Sequence, residues 1–430
     1  MQPTADRLAP QPWMTAPETR AVVAALTADG TEVRFVGGCV RDALLGRPVK
    51  DVDIATPDRP QRVMELLARA GIRAIPTGIE HGTVTAVVGR TPFEITTLRR
   101  DVETYGRRAK VAFTDDWTAD AARRDFTINA LSCTPDGRLY DPFGGLADLR
   151  AGRVRFVGDP EARIREDVLR LLRFFRFYAH YGAAPPDPAA LAACRALAPL
   201  LPGLSGERVR DEILKLLLAP EPASVVELMR DQGVLRQILP EATNPARLRA
   251  LVTLEGVTPA RLVVGADALR RLAALLEDSA EAAAAVAARL RLSNAERDRL
   301  VGMIEAAPAV SPDLDPQARR RLLYRLGADR VRDAALLAWA GAVAAGERAD
   351  RPGATRQEVE AWIGLLETAA TWVRPVFPLK GQDVLKLGLE PGPEVGRLLA
   401  ETEAWWIERD FAPDRAACLA RLRDLARQGR

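Results

Sequence analysis

The sequence Phe35-Val36-Gly37-Gly38-Cys39-Val40-Arg41-Asp42, followed by Lys50-Asp51-Val52-Asp53, decides the fold of the first part of the chain. Its apolar start predicts a strand, and the paired glycines predict a tight turn that leads directly into a short helix. Glycines at such a turn let backbone N–H groups approach a phosphate, and the start of a helix favours an anion. Arg41, one turn into the helix, can bind the same phosphate through two hydrogen bonds. We therefore predict an anion site at Gly37, Gly38 and Arg41.

Two carboxylates follow this turn. Asp51 and Asp53 are two residues apart in a second predicted strand, 51–54, so both side chains should project from one face, roughly 7 Å apart at Cα. Carboxylate oxygens suit a hard cation, and this spacing predicts a site for one or two Mg²⁺ ions held by Asp51 and Asp53. The alternative is a pair of solvated acids on an exposed strand. An isolated Asp-x-Asp is weak evidence, and its position after the glycine turn strengthens it.

Composition narrows the class of protein. The 430 residues, 48% hydrophobic and 28% charged, indicate a soluble globular protein of two to four domains. No apolar run approaches the roughly 20 residues that cross a bilayer, and residues 1–13 lack the apolar core of an export signal, so we expect a cytoplasmic protein without a membrane partner. Four scattered cysteines and two histidines argue against structural zinc, a disulfide framework and an HExxH metalloprotease. Carboxylates and arginines must carry the chemistry.

The chain divides into two parts with different residue patterns. The first part alternates helices with short β-branched runs, and beyond residue 160 only helices separated by Pro and Gly are predicted. An α+β head with a mixed sheet should therefore precede an all-α remainder. The predicted helices of the head are 15–28, capped by Thr15 and Glu18, and 59–70. Its predicted strands are 33–36, 51–54, 83–88, 93–97 and 153–157.

The ordered series of motifs resembles one known family. Residues 36–53 are similar to the first motif of the nucleotidyltransferase superfamily, in the class II branch of CCA-adding tRNA nucleotidyltransferases and bacterial poly(A) polymerases. Further segments resemble that branch in the same order, and the likeness spans nearly the whole chain. They are 123–131 (second motif), 141–149 (head-to-neck connection), 165–173 (base-selecting helix), 207–215 (neck helix) and, more weakly, 380–383 and 391–396.

The resemblance implies a function and a domain order. It implies addition of the 3′-terminal CCA to tRNA from CTP and ATP, without a nucleic-acid template, with Mg²⁺ as cofactor and no evident obligate protein partner. It also implies a catalytic head at 1–157, a base-selecting neck at 158–220, a helical body at 221–330 and a tRNA-binding tail at 331–430.

The base-selecting helix is predicted over 164–178, where Asp167, Arg170 and Arg173 share one stripe. The family assigns base recognition to Asp167 and Arg170. Adenine and cytosine both carry an exocyclic amine beside an unprotonated ring nitrogen, so an Asp can accept from the amine while an Arg donates to the nitrogen. Uracil and guanine reverse this pattern. Surface ion pairs three residues apart are the alternative interpretation.

The resemblance also covers three further places, each with an alternative interpretation. Arg124 and Asp125, at the predicted start of a helix, would contact the sugar and phosphates, although Asp125 could equally cap that helix. Arg173 and Arg176 match arginines near the nucleotide, although Arg176 lies further round the helix and could pack on the head instead. Glu94 is a candidate third active-site carboxylate, or a solvent-facing strand residue.

Segment 99–117, which includes Arg107, Arg108 and Lys110, has no clear periodicity and resembles a mobile loop of the family that closes over substrate. An ordinary solvated loop is the alternative.

Three other functions remain open at this level. The first is poly(A) polymerase activity, or addition of only CC or only A. Residues 74–84 resemble the CCA-adding form, which disfavours poly(A) synthesis. The second is a non-catalytic RNA-binding helical protein, and the presence of both Asp51 and Asp53 argues against it. The third, a signalling nucleotidyltransferase for small molecules, leaves the long helical part without a purpose.

Overall fold

A computed structural model describes residues 1–105, 108–259, 262, 264–348 and 355–428 of the chain. The strands of the head form a mixed sheet and a separate two-stranded ribbon. Those of the sheet are β1 (Arg34–Val36), β2 (Asp53–Thr56), β3 (Arg73–Gly78), β4 (Thr83–Val88), β5 (Thr91–Thr97), β8 (Ser132–Cys133) and β9 (Leu139–Tyr140), and those of the ribbon are β6 (Arg99–Tyr105) and β7 (Arg108–Phe113). The order across the sheet is β3-β4-β5-β2-β1-β8-β9. β2 and β5 run parallel, and the other described pairs are antiparallel.

Two compact units make up the chain, Met1–Pro240 and Glu241–Arg430. The α-helices of the first unit are α1 (Pro12–Thr15), α2 (Pro17–Leu26), α3 (Gly38–Leu44), α4 (Pro60–Arg69), α5 (Trp117–Ala122), α6 (Gly145–Arg150), α7 (Pro160–Glu166), α8 (Leu169–Tyr181), α9 (Pro188–Leu197), α10 (Gly206–Leu217), α11 (Pro222–Asp231) and α12 (Leu235–Ile238). Those of the second unit are α13 (Pro245–Val257), α14 (Ala268–Leu275), α15 (Ala280–Arg289), α16 (Asn294–Ala306), α17 (Pro316–Leu326), α18 (Ala328–Arg348), α19 (Arg356–Thr371), α20 (Gly381–Leu385), α21 (Pro393–Glu408) and α22 (Arg415–Gln428). The predicted fold class, a mixed-sheet head followed by helices, is confirmed.

One helix, α4, covers part of the sheet. α4 begins with a proline at its first turn and buries Val63, Leu66 and Leu67, which recur at the spacing of one helix face. It contacts β3, β4 and β5, where Ile95 is also buried. This packing fixes β5, and with it the parallel neighbour β2, which begins at Asp53.

An aromatic cluster attaches α8 to the head. Phe126 lies 4.8 Å from Phe156 and 5.1 Å from Phe177 of α8, between ring centroids, and Phe156 lies 6.0 Å from Phe174. Phe126, Phe156 and Phe174 are fully buried. Buried aromatic pairs at these distances contribute roughly 0.5–1.5 kcal/mol each beyond area burial. α8, which carries the predicted base-reading residue Arg170, is therefore held against the head by buried aromatic contacts.

The structure corrects several predicted elements. α2 begins at Pro17 after Ala16, without a side-chain cap, so the predicted capping box of Thr15 and Glu18 is wrong. The hydroxyl of Thr15 instead donates to backbone carbonyls of the preceding helix, α1. The predicted strand 153–157 is wrong as well, because Phe156 forms only an isolated bridge with Phe126.

The predicted loop 99–117 is also wrong, since it contains β6, β7 and the start of α5. β6 and β7 pair with each other and not with the strands of the main sheet. Their sequence therefore lacks the alternation of apolar and polar residues by which strands are recognised. Arg107 lies outside the described residues. Within the described part of the chain, no helix is long and apolar enough to span a membrane.

Candidate active site

A cavity of about 620 Å³ opens in the first unit between the glycine turn, the second motif and α8. Its charged lining consists of seven arginines and three aspartates. The arginines are Arg41, Arg99, Arg123, Arg124, Arg170, Arg173 and Arg208, and the aspartates are Asp53, Asp125 and Asp167. The lining therefore carries an excess of four positive charges, which suits a polyanionic ligand.

The glycine turn forms as predicted and its backbone faces this cavity. Gly37 has φ 70° and ψ −123°, a conformation that favours glycine, and α3 begins at the next residue. A Cβ added to Gly37 would lie 3.0 Å from a guanidinium nitrogen of Arg124. Gly38 also lines the cavity. A side chain at Gly37 would thus both strain the turn and displace an arginine of the site.

Arg41 is buried and its guanidinium is fixed from two sides. Nε and one terminal nitrogen donate to the two carboxylate oxygens of Asp42, each at 2.9 Å, and the other terminal nitrogen donates to Asn129 Oδ1 at 2.5 Å. These bonds join the first motif to the second. Arg41 is therefore held in one orientation at the cavity, and Asp42 balances part of its positive charge.

The two predicted metal-binding carboxylates lie differently from the prediction. Asp53 is the first residue of β2 and lines the cavity, whereas Asp51 precedes the strand, is exposed and lines an adjoining cavity. The predicted strand 51–54 was therefore placed two residues early, because a strand begins where its pairing begins and not where the apolar pattern does. Glu94 of β5 is in parallel register with Asp53, but it is exposed, as in the solvent-facing alternative, and it lines neither cavity.

These neighbours affect the acidity of Asp53. Burial, together with the charges of Glu94 and Asp51, raises the pKa of Asp53 to about 6, while Arg124 opposes the rise. Over the described residues, no group of three or more His, Cys, Asp or Glu side chains is arranged to hold a metal ion by itself. Mg²⁺ is usually bound by one or two carboxylates together with substrate phosphates. Asp51 and Asp53 fit that mode and not a protein-only cage.

The second motif is a turn and not the start of a helix. Asp125 lies between α5 and a 3₁₀ turn at Thr127–Asn129, which corrects the predicted helix start at Arg124 and Asp125. The Asp125 carboxylate accepts from the backbone N–H of Phe126 and from the Asn129 amide, both at 2.9 Å. It also accepts two hydrogen bonds from Arg173.

These partners decide the ionisation of Asp125. Burial opposes its charge, but the guanidinium of Arg173 and the hydrogen bonds from Asn129 and Phe126 prevail and lower the pKa of Asp125 to about 2. Arg124 shares the turn, donating to the carbonyl of Asn129 at 3.4 Å. The turn therefore places Arg124 and a permanently ionised Asp125 on the cavity wall.

The predicted base-reading residues both line the cavity, at a break between two helices. Asp167 is extended (φ −151°, ψ 106°) between α7 and α8, so the continuous helix predicted over 164–178 is wrong. Asp167 Oδ2 accepts from Arg208 of α10 at 2.7 Å. Arg170 donates to Glu166 and to the carbonyl of Arg163, so Asp167 and Arg170 each have a different partner.

Arg176 lies outside the cavity lining. Its Nε donates to Glu212 at 2.5 Å, and its guanidinium lies 4.4 Å from the ring centroid of Phe177. Both partners lie on helices of the predicted neck, α10 and α8, so these contacts do not show the predicted packing on the head.

Six lining residues are not among the predicted site residues, namely the polar Arg99, Arg123, Asn129 and Arg208 and the apolar Leu169 and Phe177. Arg123 and Asn129 lie within the quoted second motif and Arg208 within the quoted neck segment, so the motifs themselves were the available signal. Arg99 lies in segment 99–117, whose resemblance to a family loop that closes over substrate was the available signal.

Comparison with known proteins places the chain in a family. Residues 33–155 match the family model described as the poly A polymerase head domain, and residues 186–244 match the one described as a probable RNA and SrmB-binding site of polymerase A. The mitochondrial CCA tRNA nucleotidyltransferase 1 of Mus musculus is 33% identical over 404 residues, which cover 91% of this chain and 86% of the mouse protein. The chain belongs to the family of CCA-adding tRNA nucleotidyltransferases.

Other relatives of the chain agree with this membership. The CCA-adding enzyme of Levilactobacillus brevis is 32% identical over 409 residues, covering 94% of this chain and 97% of that enzyme. The crystal structure of the Bacillus stearothermophilus CCA-adding enzyme in complex with CTP has a TM-score of 0.75 at 26% identity, covering 96% of this chain and 99% of that one. The family resemblance read from the sequence motifs is thus confirmed, and the protein is an enzyme of the nucleotidyltransferase class.

Proposed function

We propose that this enzyme adds the 3′-terminal CCA to tRNA from CTP and ATP, without a template, and releases pyrophosphate. The observation that carries the proposal is the likeness to CCA-adding enzymes over more than nine-tenths of the chain. The family model of the head is named for poly A polymerase. The relatives that match nearly the whole chain are named for CCA addition, so poly(A) synthesis has less support.

The reaction joins the RNA 3′-hydroxyl to the α-phosphorus of the incoming nucleotide. The hydroxyl oxygen forms a bond to that phosphorus as the bond to the leaving pyrophosphate breaks, and the hydroxyl loses its proton. We assign Asp51 and Asp53 to the binding of Mg²⁺, which would stabilise the negative charge that develops on the entering and leaving oxygens. Glu94, in register with Asp53, is assigned to help orient the metal ions or to accept the proton of the attacking hydroxyl.

The triphosphate would occupy the arginine-lined cavity. Its lining has four more arginines than aspartates, and this positive balance suits a negatively charged nucleoside triphosphate. We assign the backbone of Gly37 and Gly38 and the fixed guanidinium of Arg41 to the phosphates. Arg124, Asp125 and Arg173 would bind the sugar and the remaining phosphates.

Base selection is assigned to the break between α7 and α8. Asp167 would accept from the exocyclic amine of adenine or cytosine, while Arg170 donates to the ring nitrogen. Arg208 supports this role, because its bond to Oδ2 of Asp167 fixes the direction of the carboxylate. UTP and GTP would leave these groups unpaired, which costs roughly 1–3 kcal/mol for each buried group.

We further propose the four-part division at 1–157, 158–220, 221–330 and 331–430, with tRNA bound along the helical body and tail through arginines. Binding of this kind is independent of base sequence and weakens steeply with salt. We expect the enzyme to work in the cytoplasm.

One incubation tests the proposed function. The protein is mixed with Mg²⁺ and a tRNA that ends before the CCA, with CTP and ATP alone and together, and the products are sequenced. Addition of C, C and then A, complete only with both nucleotides and stopped by a chelator, is the expected result. Long A-tails from ATP alone would identify a poly(A) polymerase, and CC or A alone a partial enzyme. Tight tRNA binding without any extension would point to a non-catalytic RNA-binding protein.

A further inference from the structure

Asp120 of α5 is a buried carboxylate behind the wall of the arginine-lined cavity (the nucleotide cavity). It is 4% exposed and lies outside the described linings of both cavities. Arg123 and Arg124 follow it by three and four positions, the spacing at which side chains on one face of a helix meet. Both of these arginines line the nucleotide cavity. Asp120 can therefore act on a ligand only through its neighbours.

The two oxygens of Asp120 have different partners. Nε and one terminal nitrogen of Arg123 donate to Oδ1 at 3.0 Å and 2.9 Å. The backbone N–H of Arg99, the first residue of β6, donates to the same oxygen at 3.1 Å. Oδ2 lies 3.5 Å from a terminal nitrogen of Arg124. One carboxylate thus contacts three of the arginines that line the nucleotide cavity.

The remaining lining arginines each have a different acidic partner. These pairs are Arg41 with Asp42, Arg170 with Glu166, Arg173 with Asp125 and Arg208 with Asp167. In the salt bridges of the described residues, Arg123 and Arg124 share the single carboxylate of Asp120, and the distance to Arg124 is too long for a strong hydrogen bond. This part of the wall therefore keeps a surplus positive charge, which a phosphate can neutralise.

The main chain that carries these side chains is fixed separately. One terminal nitrogen of Arg163, on α7, donates to the carbonyl oxygens of Arg123 and Arg124 at 2.5 Å and 2.7 Å. Burial opposes the charge of Asp120, but the guanidiniums of Arg123 and Arg124 prevail and lower the pKa of Asp120. An ionised Asp120 is thus available to direct the two side chains, while Arg163 holds their backbone.

We propose that Asp120 is a positioning residue that directs Arg123 and Arg124 toward the phosphates that leave as pyrophosphate. The proposal rests on the proposed function and gives a role to Arg123, which has none there. Arg124 approaches the turn assigned to the phosphates, since a Cβ added to Gly37 would lie 3.0 Å from its guanidinium. Arginines held in the binding orientation before the nucleotide arrives lose less side-chain entropy when it binds.

Isothermal titration calorimetry of the full-length protein, with Mg²⁺ and without RNA, tests this role with pyrophosphate and ATP as ligands. Asp120→Asn keeps the size of the side chain and removes its charge. The dissociation constants of both ligands should rise about tenfold, the effect of misdirecting a charge-assisted hydrogen bond. The number of binding sites should stay the same, whereas a purely structural defect would lower it. The ratio of kcat/KM for CTP over UTP should change by less than about twofold, because base selection is assigned to other residues.

Asp116→Asn is the matched control on the same helix. Asp116 is exposed, lies outside the described linings of both cavities, and caps α5 by accepting from the backbone N–H of Thr118 at 2.8 Å. Asn caps a helix as well as Asp does, so this variant should bind both ligands as the unmodified protein does.

A variant with Arg123→Gln and Arg124→Gln shows whether Asp120 acts through these arginines. Adding Asp120→Asn to it should change the dissociation constant of pyrophosphate by less than about twofold. A further loss of about tenfold would mean that Asp120 acts by another route and would overturn the proposal. If Asp120→Asn alone does not fold, Asp120→Glu takes its place, because it keeps the charge and moves the carboxylate by one bond. This variant should bind pyrophosphate at least about twofold more weakly, and unaltered binding would overturn the proposal.

The outcomes separate the positioning role from the proposed function. If the unmodified protein binds ATP and pyrophosphate but extends no RNA, the proposed function fails. If RNA extension is normal and Asp120→Asn binds pyrophosphate as tightly as the unmodified protein does, only the positioning role is overturned. A rise of about tenfold in both dissociation constants that disappears without the two arginines would support it.

Discussion

Arg173 of α8 donates two hydrogen bonds to one carboxylate oxygen of Asp125, from Nε at 2.8 Å and from a terminal nitrogen at 2.5 Å. The two residues are 48 positions apart, so this bond joins the base-reading helix to the turn of the second motif. Asp125 is 9% exposed, and Glu212 of α10 lies 3.7 Å from the other side of the Arg173 guanidinium. The pair thus connects three segments that line the nucleotide cavity.

Breaking this pair should destabilise the first unit. Arg173→Met leaves the buried Asp125 carboxylate without its cationic partner, and loss of one member of a buried pair costs about 3 kcal/mol. Urea denaturation at pH 7 should show this loss in the free energy of unfolding. Arg69→Met, which removes a surface pair with Asp29, is the matched control and should change it by less than about 1 kcal/mol. Equal effects of the two substitutions would contradict a structural role for the pair.

The same pair should make the free energy of unfolding depend on pH in one direction. The pKa of Asp125 is lowered to about 2 in the folded protein. Its stabilising contribution is therefore complete above pH 4 and is lost as the pH falls from about 4 to 2. The difference in unfolding free energy between the unmodified protein and Asp125→Asn should shrink over that interval. A difference that stays constant from pH 5 to pH 3 and below would show that Asp125 is not held ionised by its partners.

Asp53→Asn should abolish nucleotide addition and leave tRNA binding intact. The substitution removes one of the two proposed metal-binding carboxylates. Loss of a residue that only hydrogen-bonds to a metal ligand lowers metal affinity or activity about 10–100-fold, so loss of a ligand should lower turnover by at least about 100-fold. Single-turnover incorporation and filter binding measure the two properties on one preparation. Normal incorporation by this variant would show that the metal assignment is wrong.

Asp53→Asn should also stabilise the fold above pH 6. The pKa of Asp53 is raised to about 6, so the folded protein binds its proton more tightly than the unfolded chain does, and ionisation destabilises the fold as the pH rises from about 4 to 6. The rise from 3.8 corresponds to about 3 kcal/mol, which partial exposure reduces to about 1–2 kcal/mol. Thermal unfolding without added metal should show the gain at pH 7.5 and none at pH 4. If the variant is less stable than the unmodified protein at pH 7.5, ionisation of Asp53 does not destabilise the fold.

Several local elements were predictable from the sequence, although the cap at Thr15 was not, and elements that depend on distant residues were not predictable. The turn at Gly37 and the helix from Pro60 depend on residues within a few positions, and both occur where expected. The start of β2 at Asp53 depends on pairing with β5, about 40 residues later, so the pattern alone placed it early. The break at Asp167 lies within an apolar helical pattern, and its partner Arg208 is 41 residues away. The motifs identified the family, while the pairing of its arginines with aspartates required the folded chain.

Asp167→Ala should relax nucleotide choice while the chemical step persists. The variant lacks the acceptor for the amine of adenine or cytosine, and one good pair of contacts contributes about 1–3 kcal/mol to discrimination between bases. The ratio of kcat/KM for CTP over UTP should therefore fall about 5- to 150-fold. Asp211→Ala is the control, because Asp211 lies on the exposed side of α10 beside Arg210 and outside the cavity. Discrimination that stays the same in Asp167→Ala would refute base reading by this carboxylate and would direct attention to Arg170 and Arg208.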